Sequence, residues 1–325
     1  MPSPFKDYEV TRALRPSPAD FDFDLARALS SVVALEAAVP ADAFTADALG
    51  VERVGNGIVI GAEGLVLTIG YLVTEADEVT LTANDGRKIP AHVLGYDQVT
   101  GFGLVHALEP LDLPAMTLGD SRELAADDPV IVAGAGGLAH ALAARIVARE
   151  PFAGYWEYLL DEGLFTAPAH PHWSGAALIG PQGELVGVGS LQLEQRMAGG
   201  KVRPLNMCVP AELIKPILDD LAHGRPAHTP RPWLGVFCHE ADGAAVILDV
   251  AAGGPADRAE LRRGDMVRAV DGQAVSDLAG FYSRLWEAGP AGAHVDLRVS
   301  RGGDEFGVQL RSIDRASLLK KRRFN

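Results

Sequence analysis

The sequence predicts a mostly β protein of two domains, a large β-barrel or sandwich followed by a smaller β-rich module. Its 325 residues correspond to about two domains at roughly 150 residues each. Short runs of β-branched and aliphatic residues recur along the chain, separated by Gly, Asp or Pro, which is typical of many short strands joined by turns. The Pro-rich stretch 225–232 divides the chain unequally and indicates an extended linker.

Composition excludes several classes of protein. Hydrophobic residues make up 48% of the chain and charged residues 22%, which is enough apolar material for a sizeable core and excludes disorder as the main state. The net charge of −14 repels phosphate backbones, so we predict no nucleic-acid partner. Two cysteines, Cys208 and Cys238, are too few for a disulfide framework and are interpreted as small buried hydrophobes. Neither a cofactor nor a metal site is predicted.

The first residues lack the basic and apolar regions of a signal peptide. No apolar run approaches the ~18–20 residues needed to cross a bilayer, so we predict no membrane span. With Met1 as the native start, these features predict a cytoplasmic location.

The N-terminal part, 1–27, is predicted to be an arm, and a short helix is predicted over 22–29, whose Leu25, Ala28 and Leu29 share one face. The large domain, 28–224, ends in a helix predicted over 210–221. Asn84-Asp85-Gly86 lies between two β-rich runs and indicates a hairpin turn. Strands are predicted at 31–35, 52–60, 65–69, 78–82, 88–94, 102–107, 129–132, 164–167, 176–179, 185–189 and 206–209.

The small domain, 233–312, follows the linker. Helices are predicted over 255–261, which proline opens, and over 278–286, which has one apolar side. A closing hairpin surrounds 301–303, and a basic tail covers 313–325. The strands are predicted at 233–238, 244–250, 265–270, 295–300 and 305–310.

Several motifs occur in one order along the large domain: the glycine-punctuated segment 55–68, then 97–105, Leu118-Gly-Asp-Ser121, and 172–178. Together they resemble the trypsin-like serine proteases of the HtrA (Deg) family, and 233–312, with its run 254–267, resembles the PDZ domain that follows the protease in that family. The resemblance implies a trypsin-like double β-barrel of PA-clan type. It also implies an α+β PDZ domain, a partly open barrel of roughly five to six strands.

The resemblance assigns the nucleophile position to Ser174, but two partner positions depart from the family pattern. Tyr71 stands where the catalytic His is expected, and a phenol with a pKa near ~10 is a poor base at neutral pH. Gly101 stands where the orienting Asp is expected and offers no carboxylate. A serine hydroxyl without a positioned base is a weak nucleophile.

The oxyanion position departs as well. His172 stands two residues before Ser174, where the family has Gly, and its Cβ disfavours the backbone angles that Gly permits. We therefore expect a pseudoprotease. The alternative is an active serine endopeptidase of protein quality control that uses a displaced base. Retention of Ser174 supports this alternative, and His170 and His172 are the nearby imidazoles.

The PDZ-like unit is predicted to retain function. The resemblance implies that an extended peptide adds to the sheet edge at 236–238 while a loop of backbone N–H groups holds its terminal carboxylate. The loop is placed at Trp233, Leu234, Gly235 and Val236. The helix over 278–286 forms the other wall, with apolar candidates that could equally be core residues: Phe281, Tyr282 and Leu285.

These features predict partners and assembly. The expected partners are protein C-termini or unfolded peptides that enter the PDZ groove, which gives the chain a peptide-binding or scaffolding role. The resemblance also implies a homo-oligomer, a trimer, in which 1–28 could take part. Since relatives of this kind are commonly exported, a periplasmic location is the alternative to a cytoplasmic one.

Overall fold

The computed structural model describes residues 8–197 and 199–320. The first seven residues of the predicted arm and the last five of the predicted basic tail lie outside the described residues. Contacts divide the described chain into two compact units. The first unit holds 8–150, 162–197, 199–227 and Lys320, and the second holds 151–161 and 228–319. The segment 151–161 thus groups with the second unit, although it lies within the predicted large domain.

Two closed antiparallel barrels form the first unit, and valine, isoleucine and leucine side chains fill their interiors. The first barrel contains β1 (Val32–Ala38), β2 (Glu52–Gly61), β3 (Leu65–Ile69), β4 (Glu78–Thr82), β5 (Lys88–Tyr96) and β6 (Phe102–Ala107). The second contains β7 (Pro129–Ala133), β8 (Ala141–Gly154), β9 (Tyr158–Ala167), β10 (Ala177–Ile179), β11 (Leu185–Arg196) and β12 (Val202–Pro210). The barrels close in the orders β1-β2-β3-β6-β5-β4 and β10-β11-β12-β9-β8-β7.

The helices of the first unit are short: α1 (Leu25–Ser30), α2 (Ala46–Leu49), α3 (Gly70–Val73) and α4 (Leu218–Ala222). Asp24 caps α1, because its carboxylate accepts a hydrogen bond from the Arg27 N–H. Single 3₁₀ turns cover Arg12–Leu14, Pro18–Asp20, Ser121–Glu123, Gly137–His140 and Ala211–Ile214.

The continuous helix predicted over 210–221 is wrong. The chain instead forms the 3₁₀ turn at Ala211–Ile214 and then α4. Pro216 lies between these two pieces, where it can supply no backbone N–H and clashes with the preceding turn of an α-helix.

The hairpin of β8 and β9 is longer than the sequence indicates. The predicted strands leave 133–163 without an assignment, yet β8 spans Ala141–Gly154 and β9 begins at Tyr158. Pro151 and the mixed polar run around it weaken the strand pattern, since proline inside a run argues against a central strand. The tip of this hairpin, 151–161, is the segment that groups with the second unit.

The second unit is a sheet with the order β13-β14-β15-β17-β18, with β16 paired to β15. Asp277 caps α6 through the Gly280 N–H, and the apolar stripe of α6 packs on the sheet. Its strands are β13 (Val236–Ala241), β14 (Ala244–Val250), β15 (Met266–Val270), β16 (Gln273–Ala274), β17 (His294–Arg301) and β18 (Asp304–Arg311). Its helices are α5 (Pro255–Arg258) and α6 (Leu278–Glu287), and a 3₁₀ turn covers Arg315–Leu318.

Cys208 in β12 and Cys238 in β13 are free and buried. Within 8–197 and 199–320, no group of three or more His, Cys, Asp or Glu side chains is arranged to hold a metal ion. No helix in the described part of the chain is long and apolar enough to span a membrane.

Candidate functional site

Tyr71 and Ser174 meet at the predicted catalytic position. Tyr71 lies in α3, which follows β3, and Ser174 lies in the loop between β9 and β10. The Tyr71 Oη is 2.8 Å from the Ser174 Oγ, so the fold brings together two residues that are 103 positions apart in the chain. The base position is therefore occupied by a phenol in direct hydrogen-bond contact with the serine.

The direction of this hydrogen bond follows from the other partner of Tyr71. The Tyr71 Oη also lies 2.8 Å from the Ser190 carbonyl oxygen, which can only accept. The single phenolic proton is therefore donated to Ser190, and Tyr71 accepts the proton of the Ser174 hydroxyl. Burial raises the pKa of Tyr71 above its usual value near 10, which disfavours the phenolate that could act as a base.

Gly101 contributes only backbone to this site. Its φ of 83° lies in the left-handed region that favours glycine. Its carbonyl oxygen accepts a hydrogen bond of 2.7 Å from the Gly70 N–H at the start of α3. Gly101 thus lies against the helix that carries Tyr71, but it supplies no carboxylate to orient a base.

Asn56 in β2 fixes the loop that carries Ser174. Its Nδ2 donates to the carbonyl oxygens of His172 and Ser174 at 3.0 and 2.9 Å, and its backbone N–H donates to Ser174 at 2.8 Å. Gly175 has a φ of 72°, and a Cβ there would lie 2.1 Å from the Asn56 carbonyl oxygen. The close approach of the two chain segments therefore requires glycine at 175.

The backbone N–H of His172, which the resemblance assigns to the oxyanion hole, already has a partner. It donates to the His170 Nδ1 at 3.0 Å, and the His170 Nε2 lies 3.0 Å from the His140 carbonyl oxygen. This pair of contacts requires the neutral tautomer with the proton on Nε2. Burial lowers the pKa of His170 to about 4, which favours the same neutral form.

A cavity of about 430 Å³ lies beside Ser174. Arg53 helps to shape it, because its buried guanidinium donates to the Tyr71 carbonyl oxygen at 2.7 Å and to the Thr74 carbonyl oxygen at 2.9 Å. The same cavity is bounded by Trp173 and Leu72. Tyr71 and Ser174 thus both line an open space beside the serine.

The predicted carboxylate-binding loop of the second unit holds a carboxylate from this chain. The Oε1 of Glu157 accepts hydrogen bonds from the N–H groups of Leu234, Gly235 and Val236 at 3.2, 2.8 and 3.0 Å. Gly235 has a φ of 80°, which allows consecutive N–H groups to converge on one oxygen. Trp233 is buried, and its ring lies against Gly235.

Of the three residues predicted on the helix wall, only Tyr282 has a described hydrogen bond to the hairpin tip. Its hydroxyl donates to the Gly154 carbonyl oxygen at 2.9 Å and lies 3.2 Å from the Glu157 N–H. Phe281 and Leu285 are fully buried in the core of the second unit. Their burial fits the alternative of core packing, and a role in lining a peptide groove stays a prediction.

Sequence reasoning missed the residues that occupy or support these sites: Tyr155, Glu157, Asn56 and the backbone-directed role of His170. One signal was present, an aromatic-rich run with a single carboxylate at 152–158, which includes Phe152, Tyr155, Trp156 and Tyr158. Asn56 gave no such signal, since its contacts join segments more than a hundred residues apart.

Comparison with known families gives the class of protein. The trypsin-like peptidase domain matches residues 55–188, and the PDZ domain matches residues 232–311. The predicted fold class is therefore confirmed: a mostly β chain with a trypsin-like domain followed by a PDZ domain.

Individual proteins are similar to this chain over most of its length. The chain is 29% identical to a "Probable periplasmic serine endoprotease DegP-like" of Halomonas elongata, over 78% of this chain and 55% of that protein. It is 23% identical to "Serine protease Do-like HtrA" of Lactobacillus helveticus, over 79% of this chain and 68% of that protein. A solved structure, "HtrA-type protease AlgW with decapeptide", has a TM-score of 0.55 and 21% identity, and covers 95% of this chain and 100% of that one. The chain is therefore similar to HtrA/DegP-like proteins of trypsin type with a C-terminal PDZ domain.

The chain spans about half the length of the first DegP-like relatives that it matches. The names of those relatives place them in the periplasm. The comparisons do not support the predicted cytoplasmic location.

Proposed function

We propose that this chain is a proteolytically inactive HtrA/DegP-like protein that binds peptide C-termini through its PDZ domain. The Tyr71–Ser174 contact carries the proposal: the hydroxyl at the base position accepts the serine proton in a hydrogen bond and gives its own to the Ser190 carbonyl. A neutral phenol in this arrangement cannot remove the proton from Ser174. The serine therefore stays an unactivated hydroxyl.

The oxyanion position supports the same proposal. A tetrahedral intermediate needs backbone N–H groups aimed at its negative oxygen. Here the His172 N–H is directed to His170, so stabilising an oxyanion would first require that hydrogen bond to break. The absence of a carboxylate side chain at Gly101 removes a further requirement for a working base.

An active endopeptidase with a displaced base is the competing function. It needs an imidazole within hydrogen-bond reach of the Ser174 Oγ. His170 is committed to the His172 N–H and the His140 carbonyl, which argues against it as that base. His172 is the other nearby imidazole, and the hydrolysis test decides between the inactive protein and the endopeptidase.

The test is hydrolysis of casein by the purified full chain, compared with Ser174→Ala. We expect both proteins to release peptides at the same background rate. A fluorophosphonate probe is the second measurement, and it should leave Ser174 unlabelled in folded protein. Casein cleavage that disappears in Ser174→Ala, together with labelling of Ser174, would refute the proposal and establish the endopeptidase.

The peptide-binding part of the proposal rests on the loop 234–236. Three N–H groups that hold the Glu157 carboxylate are chemically competent to hold the carboxylate of a peptide C-terminus. Protein C-termini and unfolded peptides are the proposed partners, and a scaffolding role in protein quality control follows from such binding. A trimer and a periplasmic location are further proposals, the first from family resemblance and the second from the relatives' names.

A further inference from the structure

The tip of the β8–β9 hairpin, residues 151–161, is part of the second unit and is hydrogen-bonded to the loop 234–236 and to β13. We propose that Glu157 is an internal ligand of the PDZ carboxylate-binding loop, and that the hairpin tip closes the peptide groove until a peptide C-terminus displaces it. This inference rests on the proposed peptide-binding function and adds its regulation.

The first support is the match between the Glu157 carboxylate and a peptide terminus. Both groups present two equivalent oxygens on one carbon. Glu157 is 4% exposed, and its oxygens take the N–H groups of Leu234, Gly235 and Val236. A peptide terminus requires the same donors, so the two carboxylates cannot occupy the loop together.

The second support is a backbone contact at the sheet edge. β13 is the outer strand of the sheet, and its Cys238 N–H donates to the Tyr155 carbonyl oxygen at 2.8 Å. An added peptide strand would use this donor. Ala153 and Leu159 of the tip also pack against the core of the second unit. The tip therefore supplies the three kinds of contact expected of a peptide: a carboxylate, a strand bond and apolar side chains.

The third support is the backbone conformation of Glu157. The turn that joins β8 to β9 is Tyr155-Trp156-Glu157, and Glu157 has a φ of 56°. This left-handed position of a three-residue hairpin turn favours glycine. A glutamate is held there at a conformational cost, which its hydrogen bonds to the loop offset.

A permanently buried structural carboxylate is the competing explanation. It predicts that loss of the carboxylate lowers stability without changing access to the groove. The internal ligand predicts that loss of the carboxylate increases peptide affinity, because the open groove then makes up a larger fraction of the molecules.

The test compares the full-length wild type with Glu157→Ala and Glu157→Gly. Glycine removes the carboxylate and also relaxes the left-handed turn, so this variant retains the hairpin geometry. Asp161→Ala is the matched control, because Asp161 is an exposed carboxylate on the same hairpin. The probes are fluorescein-labelled decapeptides that end in Val, Leu or Phe, each with a free C-terminus and as the C-terminal amide, titrated by fluorescence anisotropy.

We expect both Glu157 variants to bind free-carboxylate peptides at least about tenfold more tightly than the wild type and Asp161→Ala do. The amidated peptides should bind weakly to all four proteins. Equal affinity of the wild type and Glu157→Gly for the free-carboxylate peptides would overturn the internal ligand and leave the proposed peptide binding intact.

If no protein binds any peptide, the proposed peptide binding fails, and amide hydrogen exchange decides on the internal ligand. Exchange at Leu234, Gly235 and Val236 should then be at least about tenfold faster in Glu157→Gly than in the wild type. Asp161→Ala should match the wild type. Unchanged exchange in Glu157→Gly would overturn the internal ligand.

Discussion

At the scale of single residues, Tyr71 and Ser174 form a hydrogen bond at the positions predicted for the catalytic base and nucleophile. The Oη–Oγ distance of 2.8 Å is within the range of a base and its serine. What differs is the acid–base chemistry, since burial raises the pKa of the phenol and the Ser190 carbonyl takes its proton. The distance by itself is compatible with an active site. The positions of the two hydroxyl protons argue against one, because neither oxygen is free to act as a base.

Restoring the two missing catalytic side chains should not restore activity. In Tyr71→His combined with Gly101→Asp, the new aspartate must adopt a φ near 83°, at a cost of about 1–2 kcal/mol in unfolding free energy. The His172 N–H also remains bonded to His170. We expect the double variant to hydrolyse casein at the background rate of Ser174→Ala. Urea unfolding of the same proteins measures the cost in stability.

Tyr71→His alone is the control for stability in that experiment, because it leaves the Gly101 backbone unchanged. A double variant that is as stable as this control would contradict the argued strain at Gly101. A double variant that cleaves casein well above the background would show that the oxyanion position is functional.

At the scale of elements, the β8–β9 hairpin determines what the second unit presents to a ligand. Its strands continue from the second barrel, whereas its tip belongs to the second unit. There the Glu157 carboxylate accepts hydrogen bonds from the loop 234–236, and the Glu157 N–H lies 3.2 Å from the Tyr282 hydroxyl of α6. The titratable or charged groups that interact with it are Cys238, Tyr282 and Arg315.

Peptide affinity should rise with pH because of Glu157. Burial raises its pKa from 4.5 to about 7, against the opposing effect of the loop N–H groups. Protonation of Glu157 therefore stabilises the closed form relative to the open one. This stabilisation is complete below pH 4.5 and is lost as the pH rises through about 7. Between about pH 5 and pH 8, the wild-type Kd for a free-carboxylate peptide should fall by one to two orders of magnitude.

The measurement is anisotropy titration of the wild type and Glu157→Gly across that range. The variant should show little change, because Cys238 and Tyr282, whose pKa values burial raises, remain neutral across this range. A wild-type Kd that is flat or that rises with pH would contradict the assigned direction of the Glu157 pKa.

At the scale of the whole molecule, most of the architecture could be predicted from short-range patterns. Segments such as 52–60 and 102–107 have the alternation and turn residues of strands, and the structure places β2 and β6 there. The motif positions also located Tyr71, Gly101 and Ser174. These features depend on neighbours in sequence, which is why the sequence is informative about them.

The hairpin tip could not be predicted in the same way. Glu157 meets Leu234 across 77 positions, and nothing local to either segment encodes that contact. The Asn56 contacts with the Ser174 loop span more than a hundred positions. Pro216 is a local signal for the break between the 3₁₀ turn and α4, but the apolar stripe on both sides of it favours a continuous helix. The features that could not be predicted thus depend mostly on contacts between segments far apart in the chain.

The net charge of −14 should make the open groove bind basic peptides more tightly than acidic ones. In Glu157→Gly, a decapeptide with two upstream lysines should bind several-fold more tightly than one with two upstream glutamates and the same last three residues, at about 20 mM NaCl. At about 500 mM NaCl the two affinities should converge, because the Debye length falls to a few ångströms. Anisotropy titration at both salt concentrations measures this difference. A preference that persists at high salt would assign it to a local contact in the groove, and a preference for the acidic peptide would contradict the charge argument.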